Sequence, residues 1–246
     1  MKIKSFAIPV NSFLPLFFIL AFLTGCTKEE KTEPDYTKVY LIKKKTVLSV
    51  SRDVPLEQYY NYEYSEGGDI IKITLDSPLG KDNFDYTHTG SNMIRLIHSS
   101  DYSNPDTTYI ELNSNGQAVS LVNIQQKRIT RYTYDSQGYC TNTKYSAYGA
   151  DTSDILEEIE RATFTYLDGN LLLEKRVYNN TGIGSIQNYY YKDKINIAGY
   201  ANMGMGFFGK SSKNLLKPAN VTDEFDAEGR LTKRTESELV TTYEYY

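Results

Sequence analysis

The sequence predicts an all-β protein, an antiparallel meander of repeated hairpins curled into a half-open barrel, with a short helical or loop insertion near residues 199–218. Three observations carry that prediction. From about Val39 onward, apolar and aromatic residues alternate with polar ones, the period-two pattern of strands with one buried face. Glycines recur behind these runs, at Gly68, Gly90, Gly116, Gly138 and Gly229. The aromatic content is 23 tyrosines and 10 phenylalanines with no tryptophan, which suits cross-strand packing.

The chain opens differently. Lys2 and Lys4 precede an apolar stretch from Phe13 to Leu23, too short to span a bilayer, and small residues follow, so residues 1–25 read as an export signal. Leu23-Thr24-Gly25-Cys26 resembles the bacterial lipobox, which implies that Cys26 is acylated and becomes the first residue of the mature protein. Residues 26–38 then hold charges, a proline and little to bury, as expected of a flexible tether. Within it, Lys28-Glu29-Glu30 resembles the lysine-plus-acid signal that sends lipoproteins of Bacteroidota to the outer face of the outer membrane. The remaining residues, 39–246, form a single domain, long enough to bury a core without disulfides.

Removing residues 1–25, which carry Lys2 and Lys4 and no acid, takes 27 basic and 31 acidic side chains to 25 and 31, a net charge of −6. That balance argues against nucleic acid as a partner. With Cys26 given to lipid, Cys140 is the one remaining cysteine, so no disulfide framework or thiolate metal site can form within the chain.

Aligning the glycines exposes an imperfect repeat. Four residues before each stand Tyr64, Tyr86, Leu112, Tyr134 and Phe225; two after stand Ile70, Asn92, Ala118, Cys140 and Leu231. Gly169 joins with a turn one residue shorter, between Phe164, Tyr166 and Leu171. Each unit therefore predicts a strand, a polar turn ending in glycine, and a second strand. Asp135-Ser-Gln-Gly138, Asn113-Ser-Asn-Gly116, Asp226-Ala-Glu-Gly229 and Asp168-Gly169 supply a turn-starting side chain ahead of a residue free to take positive φ. A glycine-free unit predicts a further turn at Lys192-Asp193-Lys194, between Tyr189, Tyr191 and Ile195. Asp154 to Arg161 fits either a short helix capped by Asp154 or a charged strand. Consecutive hairpins of this kind pair in order, and a meander of a dozen or more strands must curl. Gln126–Arg131 and Glu174–Arg176 lack the unbroken apolar face that a membrane-spanning barrel needs.

Phe225-Asp-Ala-Glu-Gly229, and more loosely Tyr134-Asp-Ser-Gln-Gly138, resemble the tyrosine-aspartate (YD) repeat of the Rhs toxin-shell proteins. Over the whole chain, the lipobox, the acidic tether, the Tyr-x-Tyr-x-x-x-Gly hairpins and the late Phe-Phe-Gly-Lys-Ser-Ser-Lys-Asn segment are similar to an uncharacterised family of Bacteroidota lipoproteins. That resemblance implies a porin-like, partly open barrel and no particular activity.

Residues 204–211, GMGFFGKS, satisfy the phosphate-loop pattern G-x-x-x-x-G-K-[ST]. Such a loop joins a parallel strand to a helix, and Pro218 limits any helix here to about Ser212–Lys217. No nucleotide is therefore expected. Met203, Met205, Phe207, Phe208, Leu215 and Leu216 read instead as an apolar plug in the mouth of the curled sheet, a place where a pocket forms. Cys140 reads as a small buried hydrophobe. His88 and His98, the only histidines, lack the partners of a metal site. Asp151, Asp154, Glu157, Glu158 and Glu160 read as a solvated acidic face, and no catalytic set, metal or cofactor is expected.

The expected function is a non-enzymatic, surface-exposed lipoprotein of the outer membrane that binds a glycan or a peptide. Tyr60, Tyr62, Tyr132 and Tyr189, with Met203, Met205, Phe207 and Phe208, are the candidate ligand-binding residues. A periplasm-facing carrier or chaperone for an apolar ligand, with residues 203–216 as its lid, is the alternative. A carbohydrate hydrolase using Glu157, Glu158 or Glu160 is a third.

Overall fold

The computed structural model describes residues 38–50, 55–179, 182–196 and 199–246. Cys26, Lys28, Glu29 and Glu30 lie outside the described residues, as do the expected signal segment and most of the expected tether. Seventeen strands occur among the described residues. The first nine are β1 (Ile42–Ser49), β2 (Leu56–Tyr64), β3 (Ile70–Ser77), β4 (Gly80–His88), β5 (Met93–Ser100), β6 (Ser103–Leu112), β7 (Ala118–Asn123), β8 (Arg128–Tyr134) and β9 (Cys140–Tyr148). There follow β10 (Ile155–Leu167), β11 (Asn170–Tyr178), β12 (Gly182–Gln187), β13 (Tyr190–Ile195), β14 (Asn214–Leu216), β15 (Val221–Phe225), β16 (Leu231–Glu236) and β17 (Leu239–Tyr245).

Fifteen strands form one antiparallel sheet whose order runs from β12 down to β1 and then through β17, β16 and β15. β1 thus pairs with β2 on one side and with the C-terminal strand β17 on the other. The sheet curls without closing. Among the described residues its free edges are β12 and β15, which flank the insertion in sequence, while β13 and β14 form a separate two-stranded sheet.

The repeat seen in the sequence is a pairing rule. Tyr64 faces Ile70, Leu112 faces Ala118, Tyr134 faces Cys140, Tyr166 faces Leu171 and Phe225 faces Leu231, each at a register shift beside its turn. The turn chemistry explains the spacing. Asp135 Oδ1 accepts the backbone N–H groups of Gln137 and Tyr139 at 2.9 and 3.0 Å, and Asn113 Oδ1 accepts those of Asn115 and Gln117, both at 2.9 Å. The glycine that ends each turn, such as Gly138 at φ 92°, occupies the left-handed region where an L side chain is strained.

Gly90 departs from the rule. Its turn is closed by Thr89 N–H donating to Met93 O at 2.8 Å, so Tyr86 faces Leu96, and Asn92 stays in the turn. Asp154 caps no helix. Its side chain and carbonyl accept Ala150 and Gly149 N–H groups in the tight connection between β9 and β10, and Ile155 onward is strand. The expected turn at Lys192-Asp193-Lys194 does not form. β13 continues through it as strand, with a register shift between Tyr190 and Ile195; no residue there takes positive φ, and its partner comes from across the insertion as β14 rather than from the next residues along. Residues 214–216, within the stretch open to a short helix, are accordingly strand.

The core lies in the concavity of the sheet. Ile42, Tyr62, Ile70 and Ile73 form one buried cluster; Ile94, Ile110, Leu112 and Ala118 form a second; Leu215 and Leu231 form a third. Met203, Met205 and Phe207 pack on the first cluster, and Phe207 and Phe208 on the second. The insertion is therefore a plug that joins the clusters. Each fully buried Ile or Leu contributes about 1.5–3 kcal/mol.

Candidate ligand pocket

The plug begins with two 3-10 turns, Tyr200–Met203 and Gly206–Phe208. Within GMGFFGKS the backbone N–H groups of Met205, Phe208, Gly209 and Lys210 donate to the carbonyl oxygens of Tyr200, Met205, Gly206 and Gly138, at 2.8–3.0 Å. A phosphate-cradling loop directs such groups at its ligand. Here they fold the plug and fasten it to the sheet, and the residue after the motif's Lys210–Ser211 pair continues the same work. Ser212 Oγ accepts Leu171 N–H at 3.0 Å and lies 3.0 Å from Tyr190 Oη, and Asn196 Nδ2 donates to Ser212 O at 2.9 Å. Asn170 and Asn214 then clasp, with Asn214 N–H donating to Asn170 Oδ1 at 2.8 Å and Asn170 Nδ2 to Asn214 Oδ1 at 3.0 Å.

Glycine is required at two of these fastenings. At Gly204, φ 66°, a Cβ would stand 2.5 Å from Ile70 N; at Gly209, φ 84°, it would stand 2.6 Å from the Tyr134 ring and 2.7 Å from Gly138 O. The plug backbone therefore lies directly on the hairpin turns.

Between the plug and the inner face of β8 to β11 is a cavity of about 480 Å³. Its aromatic wall comprises Tyr132, Phe164, Tyr166, Tyr200 and Phe208. The Phe208 ring lies 5.8 Å from Tyr132 and 5.4 Å from Tyr200, centroid to centroid, both pairs tilted. Opposite in character are Glu174 and Arg176, neighbours on one face of β11. Arg176 donates through Nη1 to Glu160 Oε1 at 2.6 Å and through Nε to Glu174 Oε1. Its hydrogen bond to Glu174 raises its pKa, so the guanidinium stays charged.

Burial governs the titrating groups around the cavity. It pushes the Cys140 thiol up to about 11 and raises the Tyr132 and Tyr166 hydroxyls well above the usual phenol range. Cys140 Sγ also lies 3.4 Å from Asn142 O. A neutral thiol in this setting is not a nucleophile. A second recess, of about 780 Å³, adjoins the first along the hairpin turns. The two share Asn196, Gly199, Lys210, Ser211 and Ser212, so one segment of the plug borders both. Asn115, Gln117 and Gln137 supply amides to the second recess.

The structure divides the residues singled out by sequence. Tyr132, Met203 and Phe208 line the smaller cavity. Met205 and Phe207 pack in the core, Tyr62 belongs to the first core cluster and Tyr60 packs against it, both from β2, and Tyr189 stands 66% exposed between β12 and β13. Phe164, Tyr166, Tyr200, Glu174 and Arg176 complete the wall without having been singled out. Phe164 and Tyr166 already alternated before Gly169, and Glu174 and Arg176 share their spacing of two. What joins them is the curl of the sheet, which local spacing does not encode.

Several of the other polar candidates have partners. His98 stacks on Phe84 at 4.5 Å, nearly parallel, and its Nε2 lies 3.0 Å from Asp82 Oδ1. Glu158 accepts from Arg161 at 2.9 Å, and Asn179 donates to Glu157. Register shifts in β10 between Ile155 and Glu157, and between Glu158 and Glu160, disperse the acids: Glu157 and Glu158 face solvent while Glu160 holds Arg176.

No protein-family model and no curated protein matches this chain. Among solved structures it is similar to the crystal structure of a porin-like protein from Bacteroides uniformis, with a TM-score of 0.62 over 83% of this chain and 98% of that one. The two are 12% identical, so the likeness is one of fold. It agrees with the partly open barrel implied by the family resemblance.

Proposed function

We propose that this chain is a lipid-anchored outer-membrane protein, exposed at the cell surface, that binds a glycan without acting on it chemically. The observation that carries the reading is the cavity with an aromatic wall, a fixed Glu174–Arg176 pair and an adjoining amide-lined recess. Pockets of this size combine apolar and aromatic surface with a few placed polar groups. A sugar ring offers both an apolar face to an aromatic side chain and hydroxyls to charged and amide groups. The two recesses on either side of one segment suit a ligand of more than one residue. The Leu23-to-Cys26 lipobox resemblance and Lys28-Glu29-Glu30 support the anchor and its outward address.

The apolar-carrier reading is weaker on a specific ground. Met205 and Phe207, which would line such a carrier, are packed against Ile42, Ile70, Ile94 and Ile110 and fill the interior themselves. Against a hydrolase reading, Glu160 and Glu174 both accept from one guanidinium, Arg176, which favours a structural role for these two acids over that of a catalytic pair.

The test is a glycan array probed with the full chain, followed by titration of any hit. Tyr132→Ala and Tyr200→Ala should each weaken binding about tenfold or more, equivalent to about 1.4 kcal/mol, and Tyr189→Ala should leave it unchanged. Retention of peptides but no glycan would overturn the assignment. For the address, shaving intact cells with protease should remove the domain while a periplasmic control survives.

A further inference from the structure

The sheet ends in two free edges that the chain treats differently. At β15, Pro218 stands just ahead of the strand, Glu224 accepts from Lys233 at 2.7 Å, and Arg234 Nε and Nη2 grip Asp223, both at 2.8 Å. Arg234 Nη2 also reaches Leu216 O at 2.8 Å. Charges and prolines of this kind blunt an edge against unwanted pairing.

At β12 the edge reads Gly182-Ile-Gly-Ser-Ile-Gln187, with no charge and no proline, and all six residues are exposed. Its pairing with β11 is regular throughout, from Tyr178 facing Gly182 to Leu173 facing Gln187. Ile183 and Ile186 are 68% and 55% exposed, and Val177 and Tyr178 beside them are exposed too. Asn188 N–H donates to Leu172 O at 3.0 Å. Alternation along an antiparallel strand then turns Ile186 and Gly184 toward β11 and points the N–H and C=O groups of Ile183, Ser185 and Gln187 away from it.

We infer that β12 is the dimer edge of this protein, pairing antiparallel with β12 of a second copy about a two-fold axis at Ser185. That axis sets Ser185 opposite Ser185 and Ile183 opposite Gln187, so the three outward residues satisfy one another. A strand meeting itself brings like residues together, and like charges directly opposite are destabilising. β12 carries none, whereas at β15 a two-fold axis between Asp223 and Glu224, or on either, would set acid opposite acid. The asymmetry of the two edges also limits assembly. A two-fold contact uses the same patch on both subunits, and the other edge of each is guarded, so pairing stops at two chains and forms no fibre. This inference is independent of the glycan reading.

The test is oxidative cross-linking of the full chain, purified in detergent, carrying Cys140→Ser with Ser185→Cys. Hydrogen-bonded antiparallel neighbours lie about 5.5 Å apart at Cα, within the span of a disulfide. The expected result is a covalent dimer from the Cys140→Ser, Ser185→Cys protein but from neither Cys140→Ser alone nor Cys140→Ser with Glu224→Cys. In parallel, light scattering should find a dimer that Ser185→Pro converts to monomer. The lost N–H points away from β11, so the melting temperature of the folded chain should hold. A monomeric wild-type chain, equal cross-linking through Glu224→Cys, or a dimer indifferent to Ser185→Pro would each overturn the inference.

Discussion

The backbone N–H of Ile70 donates to the carbonyl oxygen of Gly204 at 3.1 Å, tying the first residue of β3 to a glycine 134 positions later. The bond is made where both strand and plug are buried, and it leaves no room for a side chain. A Cβ on Gly204 would meet Ile70 N at 2.5 Å and Gly68 O at 2.8 Å. Gly204→Ala should therefore cost roughly 1–3 kcal/mol through backbone strain alone, and more once the contact yields. Gly206→Ala, with nothing within 4 Å of the added carbon, is the control and should change stability by less than about 0.5 kcal/mol. Urea denaturation of the two variants measures the difference.

Asp223 and Arg234 provide a second expectation. The Asp223 side chain is 1% exposed and receives two hydrogen bonds from a guanidinium that is itself mostly covered. Asp223→Ala strands that buried cation and should cost about 3–5 kcal/mol. Glu224→Ala, which removes an exposed pair with Lys233, should cost no more than about 1 kcal/mol. The contrast shows whether β15 is held by its buried pair or by its surface charge.

Core truncation should separate plug from sheet. Ile110 is fully buried in the second cluster, against which Phe207 and Phe208 pack. Ile110→Ala should destabilise by about 2–5 kcal/mol. Phe207→Ala should cost about 3–5 kcal/mol, because it opens space between two clusters at once. If Phe207→Ala is nearly neutral in a thermal melt, the plug is not part of the cooperative core.

Alkaline pH should unfold the domain. Burial raises the Tyr86 hydroxyl from its ordinary value near 10 to about 12 and pushes those of Tyr62, Tyr64, Tyr132, Tyr134, Tyr166 and Tyr245 higher still. A folded-state pKa above the unfolded one means that the folded chain keeps protons the unfolded chain releases. The stabilisation is complete below pH 10 and is lost as pH climbs through 12 and beyond. Phenolate absorbance should thus rise in one cooperative step together with loss of far-ultraviolet dichroism. A gradual rise with the sheet intact would contradict the burial of these rings.

Cys140 supplies the matching chemical probe. With its thiol held near 11 by burial, it should alkylate slowly at pH 8 in the folded chain and rapidly in urea. Equal rates in the two conditions would show that the cavity wall opens freely.

Much of this protein was determined by its sequence alone. The all-β class, the hairpin repeat and the turn sites follow from alternation and from Asp or Asn placed three residues before a glycine, because a strand's buried face and a turn's positive φ are local requirements. The columns pairing Tyr64 with Ile70 and Tyr134 with Cys140 were legible for the same reason. The tertiary structure alone decided where the sheet opens. Pairing β1 with β17 moves the gap away from the termini to β12 and β15, and it depends on contacts about 200 residues apart that no short-range pattern carries. It likewise decided the cavity wall, since Tyr132, Glu174 and Tyr200 meet only after the sheet has curled around the plug. It also made residues 190–195 a strand rather than a turn, because the partner that pairs with Tyr190 and Ile195, β14, lies beyond the insertion.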